Sequence, residues 1–129
     1  MPRLATIALA ALVAVVALTA AMPAAAKSDK EVMRVGNCTG SADWKLKLDF
    51  DDGRIETEFE VDQNRNGQPW RVVLKRDGNR FFRGIRTTRA PSGSFEVERR
   101  VRNGAGRDRI VARAVNLRSG QVCRAAASI

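Results

Sequence analysis

The alternation of apolar and charged side chains between residues 44 and 61 is the feature that most restricts the fold of this chain. Two runs of period two flank Asp52 and Gly53, and an Asp-Gly pair between such runs favours a β-hairpin with a type I′ turn. A turn at this point sets Asp51 opposite Arg54 and gathers the apolar side chains of both strands on one face. The sequence therefore predicts an antiparallel pair with one buried and one charged face.

The register counted outward from that turn also organises the charged face. Lysine then faces glutamate in two pairs, Lys47–Glu58 and Lys45–Glu60. In a third pair, Asp49–Glu56, two carboxylates face each other. Opposite charges directly across an antiparallel pair stabilise it, and like charges oppose it. A slip of one residue would destroy the whole pattern, so the sequence predicts this register specifically.

Period-two runs continue along the rest of the chain, separated by turns rich in Gly, Asn and Pro. They occupy residues 70–74, 81–85, 95–102, 110–115 and 122–125, and a first strand lies near residues 32–38. In the run at 95–102, Arg99 interrupts the apolar face. About eight short strands with turns every 8–12 residues are typical of a β-sandwich or barrel. We therefore predict an all-β fold, a single antiparallel β-sandwich of seven to eight strands.

The N-terminal residues indicate export. Met1-Pro2-Arg3 precedes an apolar run from residue 4 to 21, and Pro23 and three alanines end it. This pattern predicts a signal peptide at residues 1–26, cleaved to leave a domain at 27–129 that is secreted, extracellular or held in the cell envelope. A retained transmembrane anchor is the alternative, because the run nears the ~18 residues that suggest one. The sequence has no twin arginine and no cysteine near the cleavage site. It therefore indicates neither the twin-arginine export route nor a lipid anchor.

The chain has two cysteines, Cys38 and Cys123. In a small exported domain an even pair predicts a disulfide, which here would tie the first strand to the last. Closing a loop of that length stabilises the fold by about 4 kcal/mol in the chain-entropy description. A thiol nucleophile or metal ligand is the alternative, but the chain has no histidine to support it.

Two resemblances concern the architecture. The hairpin around residues 116–120 and the Trp70-x-Val72-x-Leu74 strand resemble immunoglobulin-type and fibronectin-type-III-type sandwiches, although the cysteines would not join the two central strands and no tyrosine can form a tyrosine corner. Residues 60–65 (EVDQNR), 70–74 (WRVVL) and 86–97 (RTTRAPSGSFEV) resemble small exported proteins of actinobacteria without an assigned activity. This second resemblance implies export and the fold, and it implies no function.

Charge is unevenly distributed. The formal net charge is +9; residues 27–64 carry six basic and ten acidic side chains, whereas residues 65–129 carry sixteen and four. Arginine matches the geometry of phosphate and carboxylate, so a face gathering these residues would bind an anionic polymer. A solvated surface that keeps the protein soluble is the favoured interpretation of these charges, and a polyanion-binding face is the competing hypothesis. The candidate ligand-binding residues are Arg83, Arg86, Arg89, Arg99, Arg100, Arg102, Arg107, Arg109, Arg113 and Arg118.

A short segment resembles the opening of a calcium-binding loop. Asp62, Asn64, Asn66 and Gly67 have the required spacing, but the twelfth position, normally a bidentate glutamate, is Val73. An ordinary loop between strands is the favoured interpretation, with these three oxygen-bearing residues as a weak metal candidate.

The inventory of side chains argues against an enzyme. Histidine and tyrosine are absent, and both cysteines are predicted to be bonded, so we expect neither catalysis nor a cofactor. Nucleic-acid binding is disfavoured because Trp44, Phe50, Phe59 and Phe95 are assigned to the core. The predicted function is a secreted or cell-surface binding module whose ligand the sequence does not identify, with anionic envelope polymers as a candidate class of ligand for its arginines. The alternatives are a protein-binding module, such as an adhesin or secreted protease inhibitor, acting through loops 64–69, 89–94, 103–107 and 116–120, and a purely structural envelope component.

Overall fold

The computed structural model describes residues 30–129, which form eight β-strands. The predicted signal peptide and its cleavage site lie outside the described residues. The strands are β1 (Val32–Asn37), β2 (Asp43–Asp51), β3 (Arg54–Asp62), β4 (Pro69–Arg76), β5 (Asn79–Thr87), β6 (Ser94–Arg102), β7 (Arg109–Asn116) and β8 (Val122–Ser128). Residues 30–129 include no helix of the length and hydropathy needed to cross a membrane.

The strands form two four-stranded antiparallel sheets. The first sheet has the order β1-β2-β3-β6 and the second has the order β5-β4-β7-β8. The predicted antiparallel β-sandwich of about eight strands is confirmed. The strand order differs from that of immunoglobulin domains. Here β2 and β3 are neighbours in the same sheet, whereas in immunoglobulin domains the second and third strands belong to opposite sheets.

The turn at Asp52-Gly53 has the predicted geometry. Both residues have positive φ, 48° and 73°, as a type I′ turn requires. Asp51 pairs with Arg54, and the register counted outward from the turn is the observed one. This prediction is confirmed because the turn and the alternation both act over short range and agree.

The core lies between the two sheets. Every second side chain of a strand points inward, and those of β3 and β4 are fully buried. The largest buried side chain is Trp70, and Phe59 follows it. Of the four aromatic residues assigned to the core, Phe59 and Phe95 are buried, and Trp44 and Phe50 are half-buried against the same cluster. Burial of these faces is the main source of stability in a sandwich of this size.

The predicted disulfide is confirmed. Cys38, which follows β1, is bonded to Cys123 of β8, 85 residues away along the chain. The bond joins an edge of the first sheet to an edge of the second and closes that side of the sandwich. The edges that remain, β5 and β6, face each other on the opposite side; we call this junction the open seam.

Candidate functional site

The outer face of the second sheet is strongly basic. In β4 the buried Trp70, Val72 and Leu74 alternate with the outward-facing Arg71 and Lys75, because successive residues of a strand point to opposite faces. The cationic positions of one strand therefore fall on the same surface as those of its neighbours.

One row of residues crosses all four strands of this face. The outward-facing Val73 pairs with Arg83 of β5 on one side and with Arg113 of β7 on the other. Arg113 pairs in turn with Arg124 of β8. Directly paired residues lie side by side on one face, so three arginines line up across the sheet.

Seven exposed cations occupy this surface, which we call the basic face. Its members are Arg71, Lys75, Arg80, Arg83, Arg109, Arg113 and Arg124. The four strands of the second sheet contain neither Asp nor Glu. Within residues 30–129 no carboxylate lies within ion-pair distance of any of the seven. Their guanidinium and ammonium groups are therefore available to an external anion.

Aliphatic side chains separate the cations of the basic face. A shallow depression of about 200 Å³ is lined by Val73, Lys75, Val111 and Arg113. The hydrocarbon stems of arginine and lysine cover apolar surface of this kind while the charged ends stay in water. The donors of this face are spread over four strands instead of converging in a cleft.

The ten arginines selected from the sequence do not share one surface. Arg83, Arg109 and Arg113 lie on the basic face, and Arg86 and Arg99 meet at the open seam. Those that remain are Arg100 and Arg102 on β6 and Arg89, Arg107 and Arg118 in loops.

Sequence reasoning missed four members of the basic face, namely Arg71, Lys75, Arg80 and Arg124. Two of them alternate with the buried Trp70-Val72-Leu74 run, so period two along β4 was the signal that could have found them.

The outer face of the first sheet has the opposite character. The predicted register of both lysine–glutamate pairs is present. Of the two lysines, Lys47 forms ion pairs, with its Nζ 4.0 Å from Glu58 and 3.5 Å from Glu31. Both carboxylates raise the pKa of Lys47. Strand β6, however, places Glu98 opposite Glu58 and Glu96 opposite Glu60. The sandwich therefore has a mainly acidic side and a basic side.

The carboxyl oxygens of Glu56, Glu58 and Glu98 lie within 4.8 Å of one another. The pKa of Glu98 is raised above its usual 4.5, first by a hydrogen bond to Glu56 and then by the negative charge of that residue. The folded protein therefore holds this proton to a higher pH than the unfolded chain does. This contribution to stability is present at low pH and is lost as the pH rises through the raised pKa.

The substitution Glu98→Gln is expected to raise the melting temperature slightly at pH 7, because it removes one of three crowded negative charges. It should also flatten the loss of stability between pH 4.5 and neutrality. Thermal unfolding followed by circular dichroism across this pH range is the measurement. Asp52→Asn removes the same charge at a turn that accepts Asn-Gly, and it should leave the slope unchanged. An equal slope in wild type and Glu98→Gln would contradict the prediction.

Three of the four predicted contact loops share one end of the sandwich. Gln63 N donates to Gly93 O at 3.0 Å, and Leu117 N donates to Pro69 O at 2.9 Å, which ties loops 64–69, 89–94 and 116–120 together. The loop at 103–107 lies at the other end, where Asn103 bonds to Gly53.

A buried set of amides holds these loops. Gln63 Oε1 accepts from Trp70 Nε1 at 3.0 Å and from Asn116 Nδ2 at 3.3 Å. The same Asn116 amide lies 3.4 Å from Gln68 Oε1. Buried polar groups satisfied in this way fix the loops to the core and to one another.

The segment that resembles a calcium loop connects β3 to β4. Asp62 Oδ1 accepts a hydrogen bond from Asn64 N at 3.0 Å, which is an Asx-turn. Asn64 and Gly67 have positive φ, 55° and 74°, as tight turns require. The Asn66 side chain is exposed, and Val73, at the twelfth position, lies in β4. The hydrogen bonds of the segment are accounted for by a turn between two strands.

Comparison with known proteins adds no assignment. A scan against protein-family models finds no match, and searches of curated proteins and of solved structures find none either. The similarity to exported actinobacterial proteins stays a prediction. The function must therefore be inferred from the surfaces described above.

Proposed function

We propose that this protein is an exported binding module that attaches to anionic polymers of the cell envelope through the basic face. The observation that carries the proposal is the absence of Asp and Glu from four strands that present seven exposed cations. Arginine forks bind phosphate and carboxylate groups, and a surface of one sign attracts a polyanion from a distance.

The acidic face of the first sheet supports a single orientation of binding. Carboxylates on β3 and β6 repel an anionic polymer, whereas the opposite side attracts it. A polymer strand would therefore cross the second sheet and leave the loop end and the acidic face directed away from it.

The predicted signal peptide and the disulfide both support export. A disulfide is compatible with an extracellular location, because such bonds persist in oxidising compartments. Trp70, Phe59 and Phe95 are buried in the core and therefore cannot stack on the bases of a nucleic acid. This favours an anionic polymer that has no bases. No step of catalysis or cofactor chemistry enters the proposal.

Chromatography on immobilised heparin or teichoic acid with a salt gradient tests the proposal. The triple variant Arg83→Gln/Arg113→Gln/Arg124→Gln removes the row across the basic face, and we expect it to elute at clearly lower salt than wild type. The slope of log affinity against log salt should fall by about 2, because about 0.7 counterions are released per contact with a single-stranded polyanion.

The triple variant Arg89→Gln/Arg107→Gln/Arg118→Gln is the matched control. It removes the same charge from loops, and it should elute close to wild type. Equal shifts of the two variants would contradict the proposal, because binding would then depend on net charge alone. A protein partner or a structural role in the envelope would become the working hypothesis.

A further inference from the structure

Two arginines of different sheets meet at the open seam. Arg86 of β5 pairs with the buried Trp70, and Arg99 of β6 pairs with the buried Thr57, so both begin on the core side of their sheets. Each strand is the edge of its sheet, and the long side chains therefore extend into the seam instead of the core. This position explains why Arg99 interrupts the apolar pattern of β6.

Both guanidinium groups contact the ring of Phe82. Arg99 Cζ lies 4.5 Å from the ring centroid and Arg86 Cζ lies 5.1 Å from it, both within the range of a cation–π interaction. The two cations are therefore within roughly 10 Å of each other, about the Debye length at 0.1 M salt. Two like charges this close repel each other, and an anion that contacts both would relieve the repulsion.

Within residues 30–129, most hydrogen-bond donors of the two guanidinium groups have no acceptor. Arg86 donates to Ile85 O at 3.0 Å and Arg99 donates to Glu98 O at 2.8 Å, which uses one nitrogen of each. A guanidinium has five N–H donors. No carboxylate of residues 30–129 lies within ion-pair distance of either arginine. The pair is thus held in place without being neutralised.

Gly84 permits this arrangement. It lies between Phe82 and Arg86 on the same face of β5, and a Cβ at this position would be 2.9 Å from the Phe82 ring and 3.3 Å from Arg86. Glycine inside a strand weakens the strand, and it is typical of a site of close approach. The missing side chain lets the ring and the guanidinium lie together.

A groove of about 620 Å³ opens beside Arg86. Its volume is in the range of small-molecule sites. Arg89 lines it together with Arg86, whereas Glu60 and Glu96 contribute carboxylates to the lining. These carboxylates disfavour a second negative charge, so the groove suits a ligand with one anionic group on a neutral or zwitterionic body.

We propose that Arg86 and Arg99, braced on Phe82, form an oxyanion-binding site that holds a single phosphate or carboxylate group, with the body of the ligand in the adjacent groove. This site is separate from the basic face and does not depend on the proposed attachment to polymers. The basic face would bind an extended polyanion without selectivity, whereas the seam would select the charged end of a smaller molecule.

A titration of the ¹⁵N-labelled protein with inorganic phosphate, at constant ionic strength set with sodium chloride, tests the site by NMR. We expect saturable shifts of the Nε–Hε signals of Arg86 and Arg99 and of the Gly84 amide. Shifts that are linear in phosphate, or that appear equally at Arg83 on the basic face, would overturn the proposal. A second titration with acetate distinguishes carboxylate from phosphate as the preferred group.

Two variants and a control sharpen the test. Arg86→Gln and Arg99→Gln should each weaken phosphate binding about tenfold, the effect of losing one charge-assisted hydrogen bond. Arg83→Gln removes the same charge from the basic face and should leave phosphate affinity within about twofold. An equal loss in all three variants would overturn the seam site. Because only the triple variant of the basic face should alter retention on heparin, either proposal can fail while the other stands.

Discussion

Replacement of both Cys38 and Cys123 by alanine is expected to lower the free energy of unfolding by about 4–5 kcal/mol. The bond spans 85 residues, and a cross-link of that length removes much of the conformational freedom of the unfolded chain. Since small domains have a total stability of about 5–15 kcal/mol, the variant should be partly unfolded at 37 °C. Strands β1 and β8 would lose their covalent link at the side of the sandwich opposite the open seam.

Urea unfolding followed by circular dichroism measures this loss. Reduced wild-type protein is the control, because it lacks the bond but keeps both sulfur atoms, and it should match the alanine variant within about 1 kcal/mol. A loss below about 1 kcal/mol in both samples would contradict the prediction. It would mean that the unfolded chain is already compact around these two positions.

The substitution Trp70→Ala is expected to lower the free energy of unfolding by about 4 kcal/mol, within the range for removing a large aromatic side chain from a core. Trp70 is fully buried between the sheets and contacts the ring of Phe95 at a centroid distance of 6.2 Å. Its indole N–H also donates to Gln63, which helps to hold the loops at one end. The substitution therefore creates a cavity and breaks a buried hydrogen bond at once.

Denaturant unfolding of Trp70→Ala should be compared with that of Trp44→Ala. Trp44 is half-buried at the edge of the core, against Gly36, and its removal should cost about half as much. Trp70→Phe keeps an aromatic ring but loses the indole N–H and part of the buried volume, so we expect an intermediate cost of about 2 kcal/mol. Equal losses for Trp70→Ala and Trp44→Ala would show that the core is not centred on β4.

The elements that the sequence predicted correctly depend on short-range chemistry. Asp52 and Gly53 adopt positive φ as local turn propensity demands, and the period of two then sets the register of β2 against β3. The disulfide was predicted by counting, because Cys38 and Cys123 have no other partner in the chain. None of these inferences required knowledge of which strands share a sheet.

The sequence did not show which arginines share a surface, because a surface is formed by strands that are distant in the chain. Counting arginines favoured the dense segment that includes Arg99, Arg100 and Arg102, yet Arg100 forms an ion pair with Asp51 on the opposite side of the sandwich. Arg71 and Arg124 are isolated in the sequence, but β4 and β8 belong to one sheet. Clustering along the chain was therefore a poor guide to clustering in space.

By itself the sequence determined that this chain forms β-strands, where the tight turns fall, how β2 pairs with β3 and which cysteines are joined. Only the tertiary structure decided that one outer face is basic and the other mainly acidic, and that Arg86 and Arg99 meet on Phe82. The physical reason is that turn propensity and alternation act between neighbouring residues. The charge of a sheet face depends on the order of its strands, which is set by how the two hydrophobic faces pack together.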